Sequence, residues 1–279
     1  MIASKRPWRS PLTWARRYPA LAVVALLQIA FVLMVLVGPS AYGPSPTRPN
    51  IRATLQPPSA AFPLGTDEMG RDVLARVLHG GRTSLAAGIA VVAIGLVVGT
   101  VVGFVAGFYG GRLDFVLMRF TDLFLGFPAL ILAIALAAAL GAGLAQGVIA
   151  AGLVWWPGFA RLVRGQVLAV KTLQYVEAAR ALGASNVRLM LRHILPGCIG
   201  EIVIKATLDV GLAVLFVASL GFLGLGAQPP SPEWGSMIAQ ARPYILDFWW
   251  VGFFPGVAIG TTVILFNALG DAVQPYLRR

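Results

Sequence analysis

Long apolar runs alternate with short polar interruptions along this chain. Leu21 to Val37, Ser84 to Phe108, Phe120 to Leu140, Gly147 to Leu162, Gly197 to Phe222 and Trp249 to Leu269 each approach or exceed the length of a helix that crosses a bilayer. The pattern predicts an all-α membrane protein with six transmembrane helices. Gly88, Gly95, Gly99, Gly103 and Gly107 recur mostly four residues apart in the second run, a small-residue row that lets another helix approach closely. Pro128 and Pro157 predict kinks in the third and fourth runs, and Arg119 is spaced to pair with Asp122.

The polar stretches are of three kinds. Residues 38–83 begin rich in proline, which predicts an extended loop. Within it Asp67, Glu68 and Asp72 cluster where a helix would start, and His79-Gly80-Gly81 stand where it would stop. Val73, Leu74, Val77 and Leu78 give that short helix an apolar stripe, so an amphipathic helix at the membrane surface is expected ahead of the second span. Residues 224–248 form a polar loop, followed by Trp249 and Trp250 at the mouth of the last span. Between the fourth and fifth runs lies a charged island over residues 165–196, whose centre reads YVEAARALGASNVRLMLRHILP from Tyr175. Ala178, Ala179 and Ala181 favour a helix, Gly183 interrupts it, and Ser185 or Asn186 can cap a second one. Val187, Met190, Leu191 and Ile194 fall on one face of that second helix and Arg188 and Arg192 on another, before Pro196 opens the next span.

The helix-glycine-helix island resembles the EAA signature of permeases of ATP-binding-cassette (ABC) importers. Glu177-Ala178-Ala179, Gly183 and Ile194-Leu195-Pro196 carry the resemblance. Leu64-Gly65-Thr66-Asp67, Gly70-Arg71-Asp72 and the stretch from Gly80 to Leu85 are similar to the subfamily of dipeptide, oligopeptide and nickel importers, as its C-type permease. The likeness spans about residues 60–272. Val217 departs from it, since peptide permeases often carry Glu there, and the tail after Gly270-Asp271 is shorter than usual. The resemblance implies that the island is a cytoplasmic coupling loop docking on an ATPase subunit. Tyr175, Glu177, Ala178, Ala179, Arg180, Leu182, Gly183, Ala184, Arg188, Arg192, Ile194, Leu195 and Pro196 would form that contact. It further implies a second homologous permease, two ATP-binding subunits and an extracytoplasmic solute-binding protein. Peptides are the first choice of solute and nickel the second. The stretch after the fifth span would form a small helical element at the outer mouth.

Charge orients the spans. Of the 22 basic residues, fifteen fall in the N-terminal tail, the island and the segments on its side of the membrane, six fall on the other side, and Lys205 lies within a span. The excess places both termini in the cytoplasm, and with the resemblance it places the protein in a bacterial or archaeal cytoplasmic membrane. The division is a basic tail over 1–20, a first span over 21–37, an outer loop over 38–83, a core over 84–270 and a tail over 271–279. The run from Leu21 is long for the core of a signal peptide and no small-residue cleavage pattern follows, so a retained first span is expected.

Composition excludes several classes. The chain is 58% hydrophobic and 12% charged, far from a soluble domain. Its net charge of +11 does not predict nucleic-acid binding, because the basic residues flank apolar runs without interleaved aromatics. His79, His193 and Cys198 make no metal-ligand set. No GxxxxGK[ST] loop is present, so an enzyme is not expected: ATP and Mg would be held by another chain, and no cofactor by this one. Glu201, Lys205 and Asp209 fall four apart on one helix face, and Asp209 lies deep enough to require a partner or water. Two readings stand for Lys205 and Asp209: a polar point on the translocation path, or a structural pair. A proton-coupled carrier working through Asp209 is the rival mechanism.

Overall fold

The computed structural model describes residues 19–277. The basic tail predicted over 1–20 lies, up to residue 18, outside the described residues, as do Arg278 and Arg279. The described chain is helical, and its only strand-like pairing is an isolated bridge between Thr66 and Asp72. The long helices are α1 (Pro19–Tyr42), α2 (Val73–Tyr109), α5 (Leu144–Val170), α8 (Leu195–Phe222) and α10 (Trp250–Leu277). Shorter helices are α3 (Gly111–Gly126), α4 (Ala129–Leu140), α6 (Gln174–Ala181), α7 (Asn186–Arg188, running on into a π-turn over Leu189–Ile194) and α9 (Trp234–Ala241). An apolar chain in lipid has no water to satisfy its peptide groups, and a helix satisfies them internally.

Among the described residues, α1, α2, the unbroken run Asn186–Phe222 and α10 are each long and apolar enough to cross a membrane. The pair α3 and α4 makes a fifth candidate if counted as one broken span, bent by 91°. The bend falls at Phe127-Pro128, where the sequence predicted a kink. Proline removes a helical donor and disfavours the α conformation in the residue before it; Phe127 is extended, with φ −94° and ψ 142°. Helix α5 is long enough, but Gln146, Trp155, Trp156, Pro157 and Arg161 dilute its apolar character.

The centre of the bundle is the pairing of α2 with α5, which the glycine row of α2 permits. A methyl group added at Gly99 would lie 2.4 Å from the Trp156 carbonyl oxygen, and one at Gly103 2.3 Å from that of Ala160. The row therefore packs helix on helix. Helix α8 closes the third side: Val91 and Val92 of α2, Ala151 and Phe159 of α5, and Ala213 and Leu220 of α8 share one core.

Several expectations require correction. Helix α2 does not stop at Gly80-Gly81, so the short outer helix and the second span are one helix and the boundary at 83 disappears. Those glycines lie against Trp234: a methyl at Gly81 would meet its indole at 2.9 Å. Their lack of a side chain serves packing, and tertiary contact overrides their weak helix propensity. Residues 111–119, which interrupt the apolar runs, are helical. Arg119 does not bond Asp122 but stands 5.1 Å from the Phe115 ring, while Asp122 pairs with Arg161 across to α5 at 2.6 Å. Helix α1 runs past Val37 to Tyr42, α5 runs through the predicted loop start to Val170, and α10 continues past residue 270 to Leu277. The predicted last tail is thus largely helix.

Candidate functional site

The charged island folds onto one end of the bundle. Helix α6 ends in a turn where Gly183 has φ +83°, the left-handed region that glycine enters at no steric cost. Gly183 N–H donates to Arg180 O at 3.0 Å and Ala184 N–H to Ala179 O at 3.1 Å, closing the last turn of α6. Ser185 caps α7, its hydroxyl accepting from Arg188 N at 3.4 Å. The Tyr175 hydroxyl donates to His193 O at 3.1 Å, tying α6 to the π-turn.

Val176, Leu189 and Ile194 are fully buried against Phe104 of α2, Val163, Val167 and Val170 of α5, and Cys198 and Ile202 of α8. This corrects the expected stripe, because Val187 and Leu191 are exposed. Leu189 and Ile194 are five apart, a spacing that diverges on an α-helix but converges on the wider π-turn. The outward face carries Tyr175, Glu177, Ala178, Arg180, Gly183, Arg188, Arg192 and Pro196, all exposed, with Ala179, Ala184 and Leu195 half-buried. Leu182 at its tip is 89% exposed.

The opposite end is a polar cap built on the 65–72 signature. Gly65 and Gly70 have φ of +76° and +68°, and a methyl at Gly70 would overlap Asn50 O. The buried Thr66 hydroxyl accepts from Gln56 N at 2.8 Å and donates to Ala53 O. Asp72 starts α2 by accepting from Ala75 N at 2.9 Å, and the Tyr42 hydroxyl donates to it at 2.8 Å. Asp67 accepts from Arg71 Nε at 2.7 Å and forms an ion pair with Arg76 Nε at 3.2 Å. Arg71 also reaches Glu68 at 2.7 Å, and both arginines donate to Gln240 Oε1, at 3.2 and 3.3 Å. Arg76 donates further to Pro46 O at 3.0 Å. Arg71 and Arg76 are 2% and 1% exposed, so this is a buried ionic cluster joining the 43–72 segment to α2 and α9. Sequence reading found Asp67 and Arg71 but neither Arg76, five residues further on, nor Gln240, which comes from a distant part of the chain.

Glu233 was also missed. It precedes α9 and is fully buried. Its Oε1 accepts from Gly235 N at 2.7 Å and from the Ser84 hydroxyl at 3.3 Å, and its Oε2 from Ser236 N at 2.8 Å. Trp234 beside it donates from Nε1 to Val77 O at 2.9 Å. The signal was present as an acid directly before an apolar helix start. Burial pushes the Glu233 carboxyl above its ordinary range, against the opposing pull of its hydrogen bonds. A carboxyl raised on folding favours the folded state while protonated, and that contribution is lost as pH rises through the raised value. Stability of the purified protein should therefore fall as pH rises above the ordinary carboxylate range, and Glu233→Gln should flatten the slope. Equal slopes in thermal unfolding would remove Glu233 as its cause.

Within the bundle, Lys205 pairs with Asp209 at 3.0 Å, and the Trp155 indole N–H donates to Asp209 at 2.9 Å. The two sequence-predicted polar residues are thus brought together and bonded to a third.

Several long apolar helices packed around a glycine-lined pair, with a docked helical loop at one end, make this a multi-pass membrane protein. Residues 99–279 match the family described as binding-protein-dependent transport system inner membrane component, and the chain belongs to that family of ABC-type permeases. It is 43% identical over 267 residues to the probable D,D-dipeptide transport system permease protein DdpC of Escherichia coli, covering 95% of this chain and 90% of that one. It is 49% identical over 220 residues to the glutathione transport system permease protein GsiD of Shigella flexneri, covering 79% and 73%. The di/tripeptide transport system permease protein DppC of Pseudomonas aeruginosa is 43% identical over 229 residues, covering 80% and 76%. A chain of the MetNI methionine ABC transporter, solved in an inward-facing conformation, shares the fold with a TM-score of 0.62 at 23% identity, over 73% of this chain and 96% of that one. The family resemblance read from the island and the outer signature therefore holds.

Proposed function

We propose that this chain forms half of the path by which an ATP-driven importer moves di- or oligopeptides across a bacterial cytoplasmic membrane. In this reading α5 and the α3–α4 pair both count as spans, giving six with both termini in the cytoplasm. A second, homologous permease completes the path, and a solute-binding protein delivers the peptide to the polar cap. Two ABC subunits hold ATP and Mg, and one of them docks on the α6–α7 loop. The observation that carries the peptide assignment is that the relatives at 43–49% identity are named for dipeptides, di/tripeptides or glutathione. Nickel has no comparable support. The loop's construction supports the docking role: Val176, Leu189 and Ile194 anchor it while Glu177, Leu182 and Arg188 face outward. A proton-coupled mechanism through Asp209 is less well supported, because Lys205 and Trp155 already satisfy that carboxylate.

Co-purification from membranes with candidate ATPase subunits tests the reading. The wild-type chain should bring down an ATPase, and Glu177→Arg should reduce its recovery or uncouple its ATP hydrolysis from dipeptide uptake by about tenfold or more. A chain that purifies alone and moves dipeptide on a proton gradient would overturn the proposal.

A further inference from the structure

The polar contact inside the bundle joins two particular helices. Lys205 and Asp209 lie near the middle of α8, whereas Trp155 belongs to α5. The Lys205 side chain itself crosses to α5: its Nζ stands 5.0 Å from the centre of the Phe159 ring. A methyl group at Gly158 would come within 3.6 Å of its Cε and Nζ. The result is a clasp with one ion pair, one indole hydrogen bond and one ammonium over an aromatic face. Stability alone does not account for it. Replacing a buried ion pair with apolar side chains of similar volume is often neutral or stabilising, and charges are costly inside a bilayer.

Position supplies the reason. Helix α5 ends at Val170 and α8 begins at Leu195, one on each side of the docked loop. The clasp lies about 15–23 Å from the loop along both helices, at about 1.5 Å per residue. Between loop and clasp the wedge is filled by Val163, Val167, Leu189, Ile194, Cys198 and Ile202. The two helices are therefore tied at one end by the chain and its apolar wedge and at mid-length by the clasp, while beyond it Ala151 and Val154 of α5 share only the apolar core with Ala213, Val217 and Leu220 of α8. A frame closed at two points moves as one body. Opened at the clasp, it lets α5 and α8 slip past each other, and apolar packing alone has little directional resistance to such slip.

We propose that Lys205, Asp209 and Trp155 are positioning residues that make α5 and α8 follow the loop as one rigid lever, rather than groups that contact the solute. The proposal rests on the reading that an ATPase acts on the loop. The test uses the assembled transporter in proteoliposomes, with spin labels at Ile149→Cys and Phe222→Cys, exposed sites at the far ends of α5 and α8. The label distance is measured at rest and after trapping with ATP and vanadate. With the clasp intact, one narrow distance should persist in both states. In Lys205→Met/Asp209→Leu, which removes both charges of the pair together, the distribution should broaden at rest and shift on trapping. ATP consumed per alanyl-alanine imported should rise about fivefold. A narrow, unchanged distance in that variant overturns the proposal. If the double variant does not assemble, Trp155→Phe, which keeps the ring and the ion pair, decides by the same distances. An ATPase that fails to bind the wild-type chain sinks the docking reading instead, and the resting comparison of the permease alone still decides the clasp.

Discussion

Gly103→Ala should destabilise the protein by about 3 kcal/mol, the upper end of the usual cost of overpacking, although it adds a single methyl group to a helix. The methyl would stand 2.3 Å from the Ala160 carbonyl oxygen and 3.0 Å from its Cα. Those are backbone atoms, so no side chain can turn aside, and α2 and α5 must separate along the row that includes Gly95, Gly99 and Gly107. Gly165 provides the comparison, since nothing lies within 4 Å of the corresponding position. There alanine should be neutral or stabilising by about 0.5–1 kcal/mol, because it removes glycine's backbone entropy cost in a helix. Thermal unfolding in detergent separates the two. Similar midpoints for both variants would mean that the helix pair is not packed as described.

Asp67→Ala should have the other large effect, about 3–5 kcal/mol, because it leaves Arg71 and Arg76 buried without their shared carboxylate. Glu68 pairs with Arg71 and not with Arg76, so it cannot replace an anion that touches both. The whole cap should loosen, so limited proteolysis at Arg48 and Arg52 should accelerate along with the fall in unfolding midpoint. The contrast is Asp122→Ala. Its pair with Arg161 is just as short, yet the two side chains are 41% and 56% exposed. An exposed pair contributes no more than about 1 kcal/mol. If the two variants lose equal stability, the cap is not the closed ionic cluster drawn from its distances.

The elements that could be read in the sequence are those whose causes are local or periodic. Apolar runs gave the long helices, the four-residue glycine spacing gave a packing row, Pro128 gave the break, and the glycine between two short helices gave the loop. What escaped notice depends on partners far along the chain. Gly80-Gly81 looked like a stop because their reason for being glycine, Trp234, lies about 150 residues away. Arg119 was assigned to Asp122 by spacing, but Arg161 of α5 lies closer once α3 folds against it. Glu233 and Gln240 are ordinary loop and helix residues until the fold brings them against Ser84, Arg71 and Arg76. The π-turn shifted the buried stripe of the loop, and a 3.6-residue period cannot anticipate a change of period within the segment.

Cys198 has a use that its packing role does not suggest. It is the chain's one cysteine, and it is fully buried beneath Val176, Leu189 and Ile194. A thiol reagent can reach it only when the loop lifts from the bundle. The native protein thus carries a built-in chemical reporter of loop detachment, readable by labelling kinetics without introducing a probe. The same burial keeps this thiol silent while cysteines placed elsewhere are tagged.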